Sequence, residues 1–388
     1  MPVVVPCITV GFLTSTLSAA VGRNGYYIAS AWVLVEAGYG SAGVATLLFI
    51  VSVVEFVASP LVGLIADRFD RRRLNVTADL SRFVVLLATA CVILYLGVLL
   101  TICLSAILFA FCDRVALTTS QSMIPFMARG NNLAASNSTV FFAMQLGCLG
   151  AALLAGPLLS ERSPALTFTV LAMFFLVSAG CLHSVRPGSI SNSVGSSKSP
   201  AFNIDLSLLR LFAVYALLYG SAVLVSVLGS SFVFEEQKDS AAAFGYLETA
   251  WSAGSLIGAL VLVRLPRAIN AHTLHLVLLG LIALALMALI PARAPWTLAI
   301  FAALGFLYNL GRVSVEVTLH SRASDNVLGR AKGLMHSLAA VLGLLIFSVA
   351  AVLGDSVFPS TIFFGFGVVL LIAISALSIG VEQQEVEL

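Results

Sequence analysis

Long uncharged runs, broken by short clusters of Arg, Asp, Gly, Pro and Ser, follow one another along the whole chain. A helix that crosses a bilayer needs about 20 mostly apolar residues, and Gly, Pro and charge clusters mark where each run ends. The pattern predicts spans at 7–36, 42–66, 75–96, 98–126, 133–159 and 164–185, then a polar, Ser-rich stretch, "RPGSISNSVGSSKSPAFNID" (186–205). Six further spans are predicted at 206–233, 240–263, 273–290, 295–320, 331–354 and 358–380. The middle stretch has the composition of a flexible linker. The expected architecture is all-α, with twelve transmembrane helices in two six-helix halves, 1–185 and 206–388, joined by the linker 186–205.

Composition sharpens this reading. Of the 388 residues, 60% are hydrophobic and 10% charged, whereas soluble domains carry about 25% charged residues. Twelve spans account for most of the length, so almost no soluble domain is expected. The first apolar run lacks a basic leading segment and runs on into further spans, unlike a secretory signal. The six cysteines, Cys7, Cys91, Cys103, Cys112, Cys148 and Cys181, lie in apolar runs of the first half without C-x-x-C spacing. They read as small buried packing residues rather than a disulfide set, a redox pair or a metal site. No phosphate-binding loop, zinc-protease or esterase motif is present. No catalytic residue, metal, cofactor or nucleic-acid partner is expected. Any work the protein does would be driven by an ion gradient.

Orientation follows from the basic residues of the short loops. With the N-terminus inside, the inner loops hold Arg68, Arg71, Arg72, Arg73, Arg129, Arg186, Lys198, Arg210, Arg264, Arg267, Arg322, Arg330 and Lys332. The outer loops hold Arg162, Lys238 and Arg293, and Arg23, Arg82, Arg114 and Arg312 fall within spans. Both termini and the linker are therefore expected in the cytoplasm. That parity also bears on "GRNG" (22–25), which reads either as a loop between two short segments or as mid-depth residues of one long helix. Residues 26–66 are too few for two further spans, so one helix is expected, with Gly22 and Gly25 available to bend it.

Ionisable residues at mid-depth are costly and usually face a partner or a cavity. Arg23, Glu55, Asp113, Arg114, Glu248, Arg312, Glu316 and His336 are placed there on helices 1, 2, 4, 8, 10 and 11. Helices 6, 9 and 12 carry none, while Asp79 and Arg82 are expected in the first turns of helix 3, within reach of the cytoplasmic interface. Repeated three-helix units with a midplane cavity are a common transporter architecture, and the charged helices would line it.

The loop "GLIADRFDRRRL" (63–74) closely resembles the signature G-x-x-x-D-R-x-G-R-R of the major facilitator superfamily, with Asp70 in place of the second Gly. "GCLGAALLAGP" (147–157) resembles the glycine-rich helix 5 motif of that family's antiporters, with Leu158 and Leu159 where further glycines are usual. "PFMARGNNLAASNS" (125–138) and "GRNGYYIASAW" (22–32) are similar to segments of its drug- and siderophore-efflux branch. The resemblance implies a proton-coupled exporter working by alternating access in a bacterial inner membrane. It implies a cytoplasmic gate of Gly63, Asp67, Arg68, Arg71, Arg72 and Lys332, in which Asp67 faces the N-terminus of helix 11 near 329–333. It also implies functional roles for Gly147, Gly156 and Pro157.

Candidate substrate or proton-coupling residues are Arg23, Asn24, Glu55, Asp113, Arg114, Gln145, Tyr219, Glu248, Tyr308, Asn309, Arg312 and Glu316. Arg23 is expected to pair with Glu55 or Asp113. Asp113 and Arg114 are consecutive, so their side chains point about 100° apart. Arg114 resembles a helix 4 arginine that the family associates with proton coupling, and Asp113 is its partner or a separate proton site. Arg312 and Glu316, four apart, pair along one face. The expected partners are a small organic molecule, protons and the bilayer, for a monomer. A drug-like compound, a siderophore or an acidic metabolite would suit a cavity with two arginines. A symporter importing a nutrient would share the fold, the loop motif and the buried charges, whereas a non-transporting sensor would have little reason to keep ionisable residues at mid-depth on helices 1, 2 and 4.

Overall fold

The computed structural model describes residues 10–127, 133–161, 163–185, 206–262, 271–322, 325–354 and 356–386. The linker 186–205 and Cys7 lie outside them, as does the side chain of Asp67. Among the described residues all regular structure is helical. The first six helices are α1 (Val10–Leu34), α2 (Gly40–Arg68), α3 (Arg71–Val92), α4 (Val98–Met127), α5 (Leu133–Glu161) and α6 (Pro164–Ser184). The second six are α7 (Leu206–Ser231), α8 (Ala241–Leu262), α9 (Ala271–Met287), α10 (Trp296–Arg322), α11 (Asp325–Leu353) and α12 (Pro359–Val386). The twelve expected helices are all present.

The chain forms two compact units, residues 1–194 with 239–249, and 195–238 with 250–388. In the first, α1 packs on α5 and α6, α3 on α4 and α6, and α2 on α4. In the second, α7 packs on α11 and α10, and α9 on α12 and α10. Shifting each label by six maps α1·α5 onto α7·α11, α3·α6 onto α9·α12 and α3·α4 onto α9·α10. The same packing scheme is thus used in both six-helix halves. The first connection of each half is also alike: a single wide turn, Val35–Tyr39 after α1 and Phe232–Glu236 after α7, leads into the next helix.

In the first of these turns Gly38 has a φ of 88°, and Gly40, which opens α2, has 51°. A Cβ at Gly38 would meet nothing within 4 Å, so only the backbone conformation selects glycine there. Gly38→Ala is expected to destabilise by about 1 kcal/mol, read as a small fall in the thermal midpoint of the purified protein.

Large apolar side chains cover the outside: Phe56, Leu61, Leu64, Leu108, Val352 and Ile372 are all more than half exposed. Small and hydroxyl-bearing residues such as Ser15, Ser18, Ser30, Ala29, Ala151 and Ala155 are buried. This is the distribution expected when the surroundings are lipid and close helix contact depends on small residues. Nine stretches among the described residues are long and apolar enough to cross a membrane, the first being the α1–α2 pair read together, and α9 supplies a shorter one.

Two expectations are corrected. Helix α1 runs regularly through "GRNG" with Arg23 inside it, but Gly22 and Gly25 do not bend it. They let α6 approach: a Cβ at Gly22 would lie 2.8 Å from the Phe175 ring, and one at Gly25 would collide with Leu171. The described cysteines are free, but Cys91 is exposed and Cys103, Cys112, Cys148 and Cys181 are half-buried, so none is a core residue.

Candidate functional site

The inward face of α3 is a stripe at helical spacing: Asn75, Ala78, Asp79, Arg82, Leu86, Thr89 and Ala90 are all buried. The helix begins at Arg71, where the Asp70 carboxylate caps it by accepting from the Arg73 amide at 2.8 Å. Asp70 therefore does useful local work where the family loop has glycine. The earlier start carries Asp79 and Arg82 two to three turns into the helix, not to its end. Both are sequestered, Asp79 fully and Arg82 at 2% exposure. Their expected place at the cytoplasmic interface is thereby overturned.

Arg82 joins two carboxylates. Its Nη1 donates to Asp113 Oδ1 at 2.6 Å, and its Nη2 donates to Asp79 Oδ1. The Phe175 ring lies 4.4 Å from the guanidinium carbon, which adds a cation–π contact. From α1, Arg23 Nε reaches the other Asp113 oxygen at 3.1 Å, with Asp113 unexposed and Arg23 28% exposed. Four charges, two of each sign, thus form one neutral cluster across α1, α3 and α4. Burying charges is tolerable only when they are paired in this way. Ser178 on α6 donates to Asp79 Oδ2 at 2.7 Å and sits 2.8 Å from the Ser15 hydroxyl.

The pairing question left open by the sequence is thus decided by geometry: Arg23 forms its ion pair with Asp113. Glu55 on α2 lies within electrostatic reach of Arg23, Arg114 and Asp113 without closing an ion pair among the described residues. Arg114, next to Asp113 in sequence, acts electrostatically on Glu55. Asn24 donates to its own helix at the Ala20 carbonyl, 2.8 Å away. Gln145 and Cys148 are neighbours on α5.

A cavity of about 40 Å³ adjoins the cluster inside the first unit. Arg23, Arg82, Ser15, Ser178, Asn75 and Ser120 contribute its polar lining. Of the loop residues, Arg71 Nη1 donates to the Ser122 carbonyl at 3.2 Å and Arg72 Nε to the Leu182 carbonyl at 3.1 Å. They clamp the ends of α4 and α6 to α3. Arg68 is exposed, a Cβ at Gly63 would meet nothing, and Lys332 is half-buried on α11.

On α5, a Cβ at Gly147 would lie 2.5 Å from that of Ala20 on α1, and one at Gly156 would lie 2.7 Å from the Gly245 Cα on α8. Pro157 follows within the helix. The motif's glycines are contact points for neighbouring backbones. Glu248 lies on α8 one turn beyond Phe244, whose ring stacks on Trp32 with centroids 5.9 Å apart. Among the described residues Glu248 has neither a hydrogen bond nor an ion pair, and Cys148 lies within its electrostatic reach.

In the second unit Arg312 pairs with Glu316 at 3.3 Å, both about a third exposed. Exposed pairs of this spacing are worth about 0.3–0.5 kcal/mol. Glu316→Gln is therefore expected to leave the thermal midpoint within about a degree of the parent. Tyr308 stacks on Trp251 with centroids 5.7 Å apart. Asn309 is buried and donates to the Ser255 carbonyl at 2.7 Å, so its amide ties α10 to α8 rather than facing an open space. Tyr219 is half-buried on α7 and approaches Gly343 of α11. His336, also on α11, accepts from or donates to the Tyr215 hydroxyl at 3.1 Å. His275 on α9 is buried and hydrogen-bonds the Ser314 hydroxyl of α10 at 3.0 Å. No group of three or more metal-ligating side chains occurs among the described residues.

Asp79, Arg82 and Ser178 were not among the candidates read from the sequence. The available signal was the Asp–x–x–Arg spacing on the same face as Asn75 and Thr89.

Twelve helices packed alike in two units, with nine membrane-length apolar stretches among the described residues and a neutral charge cluster held at mid-helix, define a polytopic membrane protein of the secondary-transporter class. The family model of the Major Facilitator Superfamily matches residues 12–348, and the chain belongs to that superfamily. The multidrug efflux pump Tap of Mycobacterium tuberculosis is 25% identical over 370 residues, covering 89% of this chain and 86% of its own. The protein of the same name from Mycolicibacterium fortuitum is 25% identical over 366 residues, covering 89% and 88%. Among solved structures, a bacterial homologue of the iron transporter ferroportin superposes with a TM-score of 0.75 at 17% identity, covering 96% of this chain and 98% of that one. The nucleoside transporter NupG gives 0.72 at 11% identity over 96% and 98%. These two likenesses concern the fold.

Proposed function

We propose that this transporter exports a small organic molecule from the cytoplasm in exchange for protons, from a bacterial inner membrane, as a monomer whose halves alternate around the linker. The observation that carries the coupling is the sharing of one carboxylate, Asp113, between Arg23 and Arg82. A proton arriving at the cluster removes one negative charge and leaves two guanidiniums competing for what remains. Arg23 is the partly exposed member, so it is the one that turns away, toward Glu55 or a ligand. A switch of ion-pair partners is a discrete two-state element of the kind that coupling requires. The outward direction is supported by the relatives named multidrug efflux pumps and by the Gly156–Pro157 motif on α5. Tyr219, Glu248, Tyr308, Arg312 and Glu316 are the proposed further contacts for substrate. Coupling needs no cofactor beyond the proton gradient.

The test uses cells producing the protein and preloaded with ethidium as a fluorescent organic probe. Faster ethidium loss than in cells without it, abolished by a protonophore, is the expected outcome. Faster ethidium uptake under the same gradient would point to a symporter instead.

A further inference from the structure

We infer that Asp79, rather than Asp113 or Glu55, is the carboxylate that takes up the proton, and that it does so through a serine relay inside the first six-helix bundle. The inference rests on the proposed proton coupling and names its entry point. Three observations meet here. The cavity beside the cluster has room for water, and in a mostly apolar lining Ser15, Ser178, Asn75, Ser120 and the two arginines supply the polar partners such a water needs. Ser15 and Ser178 both line that cavity. The two hydroxyls form a continuous chain from it to Asp79, with oxygen separations of 2.8 Å and then 2.7 Å.

The donor order is fixed by the chemistry. A carboxylate only accepts, so Ser178 donates to Asp79 Oδ2, and Ser15 therefore donates to Ser178. A hydronium in the cavity gives its proton to Ser15 Oγ. The former Ser15 proton passes to Ser178 Oγ, and the former Ser178 proton to Asp79 Oδ2. One O–H bond breaks and one forms at each serine, and both remain neutral alcohols. The result is a protonated Asp79 and a water molecule. Among the described residues Asp113 accepts no hydroxyl hydrogen bond: its two oxygens face the Arg23 and Arg82 guanidiniums, and the Tyr27 hydroxyl is only within electrostatic reach.

The charged groups facing Asp79 are Arg82 on its own helix and Asp113 on α4. On the other packed helices, α6 contributes Ser178, α1 contributes Ser15, and Arg23 acts through Asp113. Protonation of Asp79 deprives Arg82 of one of its two partners, so Arg82 tightens on Asp113. The cluster then carries one excess positive charge, which weakens the hold of Asp113 on Arg23. The event inside the bundle is thereby transmitted to the partly exposed arginine. The cavity, the relay and the release of Arg23 form one sequence of steps.

The experiment is an infrared pH titration of the purified full-length protein, following the carbonyl stretch of protonated carboxylic acids. Protein labelled with ¹³C at the aspartate carboxyl is compared with unlabelled protein. On acidification a band is expected to appear, to move to lower frequency with the label, and to vanish in Asp79→Asn. In Ser178→Ala, which keeps the carboxylate, the same band is expected at higher frequency because its hydrogen bond is lost. A band unmoved by the label belongs to Glu55 or Glu248 and overturns the assignment. So does a band that survives in Asp79→Asn, or one unaltered by Ser178→Ala. Should Asp79→Asn not fold, the isotope shift together with Ser178→Ala decides the matter. Proton-coupled ethidium efflux by a protein failing these infrared tests removes only Asp79 and its relay. Ethidium efflux indifferent to the protonophore removes the coupling reading itself.

Discussion

Replacing Asp113 by Asn is expected to destabilise the protein by about 3–5 kcal/mol, the range for removing one partner from a buried ion pair. Asp113 has no exposed surface, and its two oxygens face Arg82 and Arg23. Asparagine offers one neutral oxygen in place of a shared negative charge and turns an amide donor toward a guanidinium. Arg82, at 2% exposure, has nowhere to go and keeps only Asp79. Arg23 is 28% exposed and can rehydrate at the cavity, which limits its share of the cost. Arg23→Gln should therefore cost less than half as much as Asp113→Asn, because Asp113 remains bound to Arg82. Thermal unfolding in detergent, followed with a thiol-reactive dye on the half-buried cysteines, measures both. Equal losses in the two variants would show that Arg23, not Arg82, is the main counter-charge.

Gly156→Val is expected to cut ethidium efflux at least tenfold. A Cβ at Gly156 would stand 2.7 Å from the Gly245 Cα and 2.9 Å from the Ala241 carbonyl oxygen. These are backbone atoms, so no side-chain rotation relieves the clash, and α5 and α8 must separate. Overpacking of this kind costs about 1–3 kcal/mol. Gly150→Ala on the same helix is the control: its Cβ meets the Val21 side chain at 3.4 Å, an ordinary contact, and near-parental efflux is expected. Parental efflux in both variants would show that the α5–α8 approach is dispensable for transport.

Helix number and placement were legible because a bilayer imposes length and polarity on every span. Helix α1 passing through Arg23 followed from loop parity, and the observed ends lie within four residues of the expected ones except at the start of α11 and the end of α12, each six residues longer. Helix α3 shows where this fails. Counting Arg71, Arg72 and Arg73 as loop placed its start at residue 75, whereas Asp70 caps it four residues earlier, about 6 Å along the axis. That shift takes Asp79 and Arg82 from the membrane edge to the core of the cluster. The arginines could open a helix because Arg71 and Arg72 find backbone carbonyls on α4 and α6. Azimuth was equally hidden. Sequence gave the depths of Arg23, Glu55 and Asp113, but the choice between the two carboxylates depends on how α1 and α4 face each other. The glycines of "GRNG" read as possible bends, and only the presence of Phe175 and Leu171 on α6 identifies them as packing surfaces. Ser178 was invisible as a functional residue because a lone serine in an apolar run carries no signal until its neighbour is known.

The central claim is that the buried cluster couples proton movement to export, and proton flux in reconstituted vesicles tests it most directly. Vesicles containing the protein and a trapped pH-sensitive dye are placed under a proton gradient, ethidium is added, and both fluxes are followed for the parent and for Asp113→Asn. Opposed movement of protons and ethidium in the parent, lost in the variant while the variant remains folded, is the expected result. Movement of both in the same direction, or coupled exchange undiminished in Asp113→Asn, would contradict it.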